Sequence, residues 1–356
     1  MGLDAIYMKM IHCADIHLGS KIEAKLSTEK ANIRKKEVRE AFVQMVEQAK
    51  ENDVKAILIS GDLFDSDRPL QKDKEFFYSV VKNTPEIDFL YLRGNHDSKE
   101  SYTVYDLPNL KTFNNAWQKY CYENVCISAI EIQPENEISM YSTLNLDESS
   151  VNIVMLHGYE NINFNNLKNK NIDYLALGHL HTYKEEKLDD RGIYAYSGCL
   201  EGRGFDETGA KGYILLEINE KGKIQSNFIV NSIRIIEDKT IDISDCGASY
   251  EAYQKIKNEI DINRENLYRI NLVGNIDFDN DNMKNDIEGY MANLCFFVSI
   301  KDKTRRMLHL DDIKNEISIK GEFVRTVLAN GEYDEETKQG IIEIGLKALD
   351  LQEVEI

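Results

Sequence analysis

Proline is scarce in this chain, four residues in 356, and tryptophan occurs once. So few prolines exclude a rigid polyproline spacer, and domain boundaries must be read from pattern instead of linkers. Long apolar runs are also missing: no window of about 18 uninterrupted apolar residues exists, which excludes a membrane-spanning helix. The N-terminus lacks the apolar segment of a secretory signal, so the expected location is cytoplasmic, away from any membrane. Cysteine is sparse and irregular. Cys13, Cys121, Cys126, Cys199, Cys246 and Cys295 show no two-residue spacing, which excludes a zinc knuckle and fits thiols kept reduced in the cytosol. Positive charge is the last shortage. Lys and Arg number 43 against 62 Asp and Glu, a net charge of -19, and the stretch after Ser232 holds 26 of the acidic residues but only 16 of the basic ones. Such a chain has no broad basic footprint for nucleic acid, so any polyanion must be held locally by bound cations and a few Arg or Lys. Arg68, Arg203 and Lys211 are candidates for those phosphate contacts.

What the chain does have is a recurrence: five apolar runs each finish in a residue able to bind a metal. Residues 11–14 run into Asp15-Ile16-His17, and 56–60 into Gly61-Asp62. Residues 89–92 run into Arg93-Gly94-Asn95-His96-Asp97. Residues 153–156 end at His157-Gly158, and 174–177 at Gly178-His179-Leu180-His181. Of seven histidines, five (His17, His96, His157, His179, His181) fall at these ends; only His12 and His309 do not. A core histidine belongs inside an apolar run, so this placement points to ligands.

The pattern between the blocks predicts an α/β fold. Over 28–52, Val38, Phe42, Met45 and Ala49 share one helical face, and Pro69 opens a second helix running to about 81. Strand, ligand-bearing loop and helix thus alternate, which implies a largely parallel sheet covered on both faces, with its ligand site at the carboxyl edge of the strands. Residues 98–150 read as a sheet extension plus loops. Strands over 153–156, 174–177, 193–197, 213–218 and 224–230 make a second sheet. Beyond Ser232 a compact βαβαβ unit follows (240–243, 250–260, 267–273, 283–292, 295–300), without ligand residues at its strand ends. Helices over 311–330 and 334–349 finish the chain. The expected division is 1–232, 233–305 and 306–356.

Imidazoles mixed with carboxylates and an amide suit borderline divalent ions such as manganese, iron or zinc, whereas magnesium and calcium prefer oxygen throughout. Asp15, His17, Asp62, Asn95, His157, His179 and His181 are seven candidate ligands, too many for one ion and enough for two that share a carboxylate. Two ions about 3.5–4 Å apart can clamp a phosphate ester and bring the pKa of a bridging water towards about 7. His96, with Asp97 beside it as orienter, is placed to protonate the leaving group.

These five blocks resemble the signature of the calcineurin-like metallophosphoesterases. More narrowly, Asp15-Ile16-His17-Leu18-Gly19, Gly61-Asp62-Leu63-Phe64-Asp65-Ser66 and Ser197-Gly198-Cys199-Leu200-Glu201-Gly202-Arg203-Gly204-Phe205-Asp206-Glu207 are similar to the DNA-repair exonuclease branch, the SbcD-type nucleases and their YhaO-like bacterial relatives. The resemblance spans about residues 9–232. It implies two packed β-sheets flanked by helices, a smaller C-terminal α+β accessory domain with terminal helices, and two manganese ions at the loop edge. It further implies that Asp15, His17, Asp62 and His181 hold one ion, that Asp62, Asn95, His157 and His179 hold the other, and that His96 is catalytic. The activity implied is a DNA nuclease, commonly a 3′ to 5′ exonuclease and single-strand endonuclease. A coiled-coil ATPase partner would dock on the C-terminal part, and homodimerisation stays open. The alternative is a phosphodiesterase or phosphatase for nucleotides or other small phosphoesters. A non-catalytic scaffolding subunit is a third reading, against which the complete ligand set argues.

Overall fold

The computed structural model describes residues 6–22, 26–97, 107–278, 280–307 and 310–349; His309 lies outside the described residues. The first sheet takes β1 (Ile6–Cys13), β2 (Ala56–Ser60), β3 (Asp88–Leu92) and β4 (Leu110–Thr112). The next six strands build the second: β5 (Gln118–Tyr122), β6 (Val125–Ala129), β7 (Val151–His157), β8 (Tyr174–Gly178), β9 (Lys184–Lys187) and β10 (Ile193–Tyr196). The chain then returns to the first sheet with β11 (Gly212–Asn219) and β12 (Ile224–Val230). The sheet orders are β12-β11-β1-β2-β3-β4 and β5-β6-β7-β8-β10-β9. Strands β1 to β4 are parallel neighbours, as are β6, β7, β8 and β10. Antiparallel strands close both flanks of the second sheet and one flank of the first, whose other edge is the parallel β4.

Why these runs are continuously apolar is visible in β2, in which all five residues of Ala-Ile-Leu-Ile-Ser are buried. Successive side chains leave a strand on opposite faces, so a strand covered on both sides needs apolar residues at every position. Ala56 and Leu58 join Leu90, Leu92, Ile153, Met155 and Ala176 in a layer between the sheets. Ile57 and Ile59 face the other way, with Phe89 and Tyr91, onto Val38, Phe42 and Met45 of α1 (Thr28–Glu51) and Phe77 and Val81 of α2 (Gln71–Lys82). On the far side of the second sheet, Val154, Leu156, Leu175 and Leu177 are covered by Met140, Tyr141 and Leu144 around the short α3 (Met140–Thr143). The result is the expected α/β sandwich of two packed sheets flanked by helices. At the carboxyl ends of the parallel strands the sheets are tied together: Ser60 Oγ donates to Ala176 O at 3.3 Å, and His157 Nδ1 lies 2.9 Å from Ser60 O.

Met1–Lys239 forms one compact unit with Ile262–Arg269 and Ala292–Ser299; Thr240–Asp261, Ile270–Met291 and Ile300–Ile356 form a second. The later strands are β13 (Ile236–Asp242), β14 (Leu267–Val273), β15 (Asn275–Ile276), β16 (Phe297–Asp302) and β17 (Arg305–Arg306), with β13-β14-β16 making a three-stranded sheet. The second unit holds α4 (Ser249–Glu259), α5 (Met283–Met291) and a small core of Val324, Val327, Ile342 and Leu346.

Three expectations need correction. The strands over 213–218 and 224–230 do not extend the second sheet: β11 pairs with β1 and β12 with β11, at the edge of the first. The single helix over 311–330 is two, α6 (Leu310–Asn315) and α7 (Ile319–Ala329), followed by α8 (Glu335–Leu349). Ser318 breaks it, because its side chain accepts from Gly321 N at 3.1 Å and caps a new helix. Cys121 and Cys126 are not reduced thiols but a disulfide. They sit at directly opposed positions of the β5–β6 hairpin, a proximity that five residues of sequence separation hide until the hairpin forms. The other four cysteines are free and buried.

Candidate metal centre

The loops after β1 and β2 run side by side. Asp15 N donates to Gly61 O at 3.0 Å, His17 N to Asp62 O at 3.0 Å, and Leu18 N to Leu63 O at 2.8 Å. Both loops pass through left-handed backbone, with φ of 51° at Asp15, 50° at His17 and 51° at Asp62; His179, after β8, stands at 106°. Such conformations cost on the order of 1–3 kcal/mol each and persist only where the surroundings hold them, which is why they gather at functional sites. Here they turn ligand side chains inward. Close approach explains two glycines: a Cβ on Gly94 would lie 2.2 Å from Asp62 Oδ1, and one on Gly61 2.1 Å from His157 Nδ1.

All seven ligand candidates converge. Asp62 Oδ1 accepts the His96 N–H at 2.9 Å, while Oδ2 lies 3.3 Å from His157 Nε2 and 3.9 Å from His17 Nε2. Asn95 Oδ1 is 2.9 Å from His157 Nε2 and 3.1 Å from His179 Nδ1. His17 Nε2 faces His181 Nε2 at 3.2 Å, and the Asp15 carboxylate accepts the His179 N–H at 3.0 Å. Ligand atoms of Asp15, His17 and His181, and likewise of Asp15, Asp62 and His157, lie within 4.8 Å of one another. Atoms held about 2.1 Å from a common ion sit about 3.0–3.4 Å apart. The observed spacing, with two imidazole Nε2 atoms turned toward each other, therefore fits bound divalent cations.

Electrostatics sort the members. Burial disfavours the ionised form of Asp62, but His157, His17 and the His96 N–H outweigh it and hold the carboxyl at about 2. Burial likewise opposes a charge on His157, yet contact with Asp62 raises it to about 9. His96 stands apart from this ionic pair: it is exposed, its ring edge-on to His17 with centroids 5.1 Å apart. Asp97 does not take the orienting role expected of it. Its carboxylate accepts N–H groups of Leu63, Phe64 and Gly94 at 3.2, 2.9 and 3.0 Å, which fastens the loop after β3 to the loop after β2. Burial pushes that carboxyl up to about 6 against the pull of those N–H groups.

Residues 8–183 match the calcineurin-like phosphoesterase family. The chain carries a calcineurin-like phosphoesterase domain. Members of this family are hydrolases that bind divalent metal ions. The chain is 26% identical to the DNA double-strand break repair protein Mre11 of Sulfolobus acidocaldarius over 93% of both chains. It is 23% identical to the Mre11 of Methanosarcina acetivorans, over 60% of this chain and 37% of that protein. It is 26% identical to the uncharacterized metallophosphoesterase YhaO of Bacillus subtilis, over 70% of this chain and 67% of that one. A solved dimetal phosphatase from Danio rerio aligns with 64% of this chain and all of its own, at 10% identity and a TM-score of 0.42.

Behind the candidate ligands of the phosphoesterase domain stand residues whose contacts the sequence did not disclose. His181 Nδ1 lies 2.7 Å from Glu207 Oε1, and His17 Nδ1 3.1 Å from Asp65 Oδ1. Arg203 pairs with both carboxylates, and Lys211 Nζ donates to His181 O at 2.8 Å. Arg203 and Lys211 are therefore not the phosphate contacts expected of them: Lys211 is buried, and the Arg203 fork is occupied. Arg68 remains exposed. The signal was present in the Arg203-to-Glu207 block, but only the fold reveals that Glu207 reaches back to His181.

Proposed function

We propose that the phosphoesterase domain is a DNA nuclease that hydrolyses phosphodiester bonds with metal-activated water, using two divalent ions, manganese first, with iron or zinc as the alternatives. The observation that carries this reading is the similarity across 93% of the chain to a DNA double-strand break repair protein, joined to a convergent ligand set. Asp15, His17, Asp62 and His181 would hold one ion, and Asp62, Asn95, His157 and His179 the other. Bound divalent ions supply charge for the phosphoryl oxygens and a water acidic enough to attack near neutral pH. The chain's own groups do the rest. His157 commits Nδ1 to Ser60 O and so keeps Nε2 forward, Asp62 supplies the shared carboxylate, and His96 at the exposed rim hands a proton to the departing oxygen. Asp97 keeps the His96 loop in register. A cavity of about 1050 Å³ opens beside Asn95, His157 and His179, ample for a nucleotide-sized group. The C-terminal segments, 233–305 and 306–356, would serve as accessory domain and docking surface for a coiled-coil ATPase, with the cytoplasm as the place of action.

The charge of -19 favours a second reading, in which small phosphoesters are the substrate. Manganese-dependent turnover of linear DNA and of a small aryl phosphodiester, measured side by side, tests the choice. Cleavage of DNA is expected; turnover of the small diester alone overturns the nuclease assignment.

A further inference from the structure

We propose that Arg203 is the positioning residue for one of the two ion sites and leaves the other untouched; the inference rests on the two-ion reading above. His17 and His181 belong to the same proposed site, and a carboxylate stands behind each ring. Asp65 Oδ1 is 3.1 Å from His17 Nδ1, and Glu207 Oε1 is 2.7 Å from His181 Nδ1. A carboxylate beside each Nδ1 favours the tautomer that carries its proton there, which leaves the two Nε2 atoms, facing each other at 3.2 Å, able to bind an ion. One guanidinium joins the two carboxylates. Arg203 NH1 donates to Asp65 Oδ1 at 2.8 Å, and Nε donates to Glu207 Oε1 at 3.0 Å. The Arg203 peptide N–H adds a bond to Glu207 Oε2 at 2.7 Å, and its NH2 lies 3.3 Å from His181 Nδ1. The Glu207 side chain is 2% exposed and that of Arg203 14%, so solvent screens this arm little, while Asp65 at 28% is the more exposed arm.

The planar fork is what the arrangement requires. A guanidinium presents donors in fixed, divergent directions and can hold two carboxylates at a set separation, whereas an ammonium is a point charge with rotatable donors. The histidines assigned to the other ion are aimed by different means. His157 is turned by the Ser60 carbonyl at 2.9 Å, and His179 is held through its peptide N–H on Asp15. The two sites share Asp62, and Asp15 of the first also holds the His179 N–H, but neither His157 nor His179 is aimed through Arg203, so a change there is felt first by the His17 and His181 rings.

The test is a manganese titration of the full-length chain, followed by calorimetry and paramagnetic resonance. The wild type is expected to take up two ions. In Arg203→Lys one ion binds with unchanged affinity and the other about 10–100-fold more weakly, the scale typical of lost ligand support. At intermediate manganese the resonance of a coupled pair gives way to that of an isolated ion, and excess manganese restores the pair. Asp65→Asn, on a partly exposed loop, gives the same selective loss and decides the matter if the Arg203 variant does not fold. Equal weakening of both ions, or no weakening of either, overturns the inference. A wild type that binds fewer than two ions overturns the two-ion reading instead.

Discussion

His96 and Asn95 share an exposed loop but face different neighbours: Asn95 Oδ1 meets His157 and His179, while the His96 ring stands by His17. The His96 imidazole is exposed, and it is the peptide N–H of the same residue that touches Asp62, at 2.9 Å. Removing the ring should leave the ligand cluster standing. In His96→Ala both ions are expected to stay, by elemental analysis, while kcat falls by about 10²–10⁴, the usual worth of a placed proton donor. Loss of the ions in that variant would refute the role given to this residue. Gly94 makes the opposite prediction. A methyl there would stand 2.2 Å from Asp62 Oδ1 and 2.6 Å from Asp62 N, and the second contact is with backbone that cannot step aside. Gly94→Ala is expected to weaken manganese binding at least tenfold while far-ultraviolet dichroism stays that of the wild type. An unchanged manganese isotherm would mean that Asp62 has more room than its neighbours suggest.

At the scale of strands, His12 shows how a histidine inside an apolar run differs from one at its end. It is fully buried in β1, with Nδ1 2.8 Å from Tyr174 Oη and Nε2 3.2 Å from Leu177 O, so it pins the first sheet to β8 of the second. Burial lowers its pKa to about 3, against the upward pull of the Leu177 carbonyl. The unfolded chain, with an ordinary pKa of about 6.5, takes up the proton first as pH falls. Stability from this residue is therefore complete above about pH 6.5 and is lost progressively towards pH 3. His12→Gln should be less stable than the wild type at pH 7, and the gap should shrink by about 2 kcal/mol by pH 5 in denaturant titrations. A gap that does not change with pH would show that His12 is not held neutral.

The same scale explains what could be read in advance. Strands buried on both faces must be apolar throughout, so β1, β2, β3, β7 and β8 stood out, and their ends located the site. Edge strands carry no such mark. β9 is Lys-Glu-Glu-Lys and β5 alternates half-buried with exposed residues, so neither was legible. Asp97, Asp65, Glu207 and Arg203 act through partners up to 138 positions away, a distance over which residue type says nothing about contact. Ser318 looks like any polar residue on a helix until its side chain is seen accepting from Gly321.

For the molecule as a whole, the unresolved tension is charge. A chain at -19 must hold a polyanion against its own field, and several cations of the phosphoesterase domain are committed to internal partners, while Arg68 is exposed. Arg203 pairs with Asp65 and Glu207, Arg93 with Glu131, Arg39 with Asp73, and Lys211 is buried against a carbonyl. The ions would then be the principal attraction for a phosphodiester, since bound divalent cations are often the largest charges in such a site. Two consequences can be measured with a labelled single-stranded oligonucleotide and the His96→Ala protein, which should bind without cutting. Chelation at constant ionic strength should weaken binding by at least about tenfold, equivalent to about 1.4 kcal/mol. With manganese present, the salt dependence should be shallow, a log–log slope of about -2, because a slope near -0.7 per phosphate corresponds to only about three contacts. A metal-free protein that binds the oligonucleotide as tightly, or a slope steeper than about -5, would place the attraction in a basic surface away from the strand ends and detach DNA binding from the metal centre.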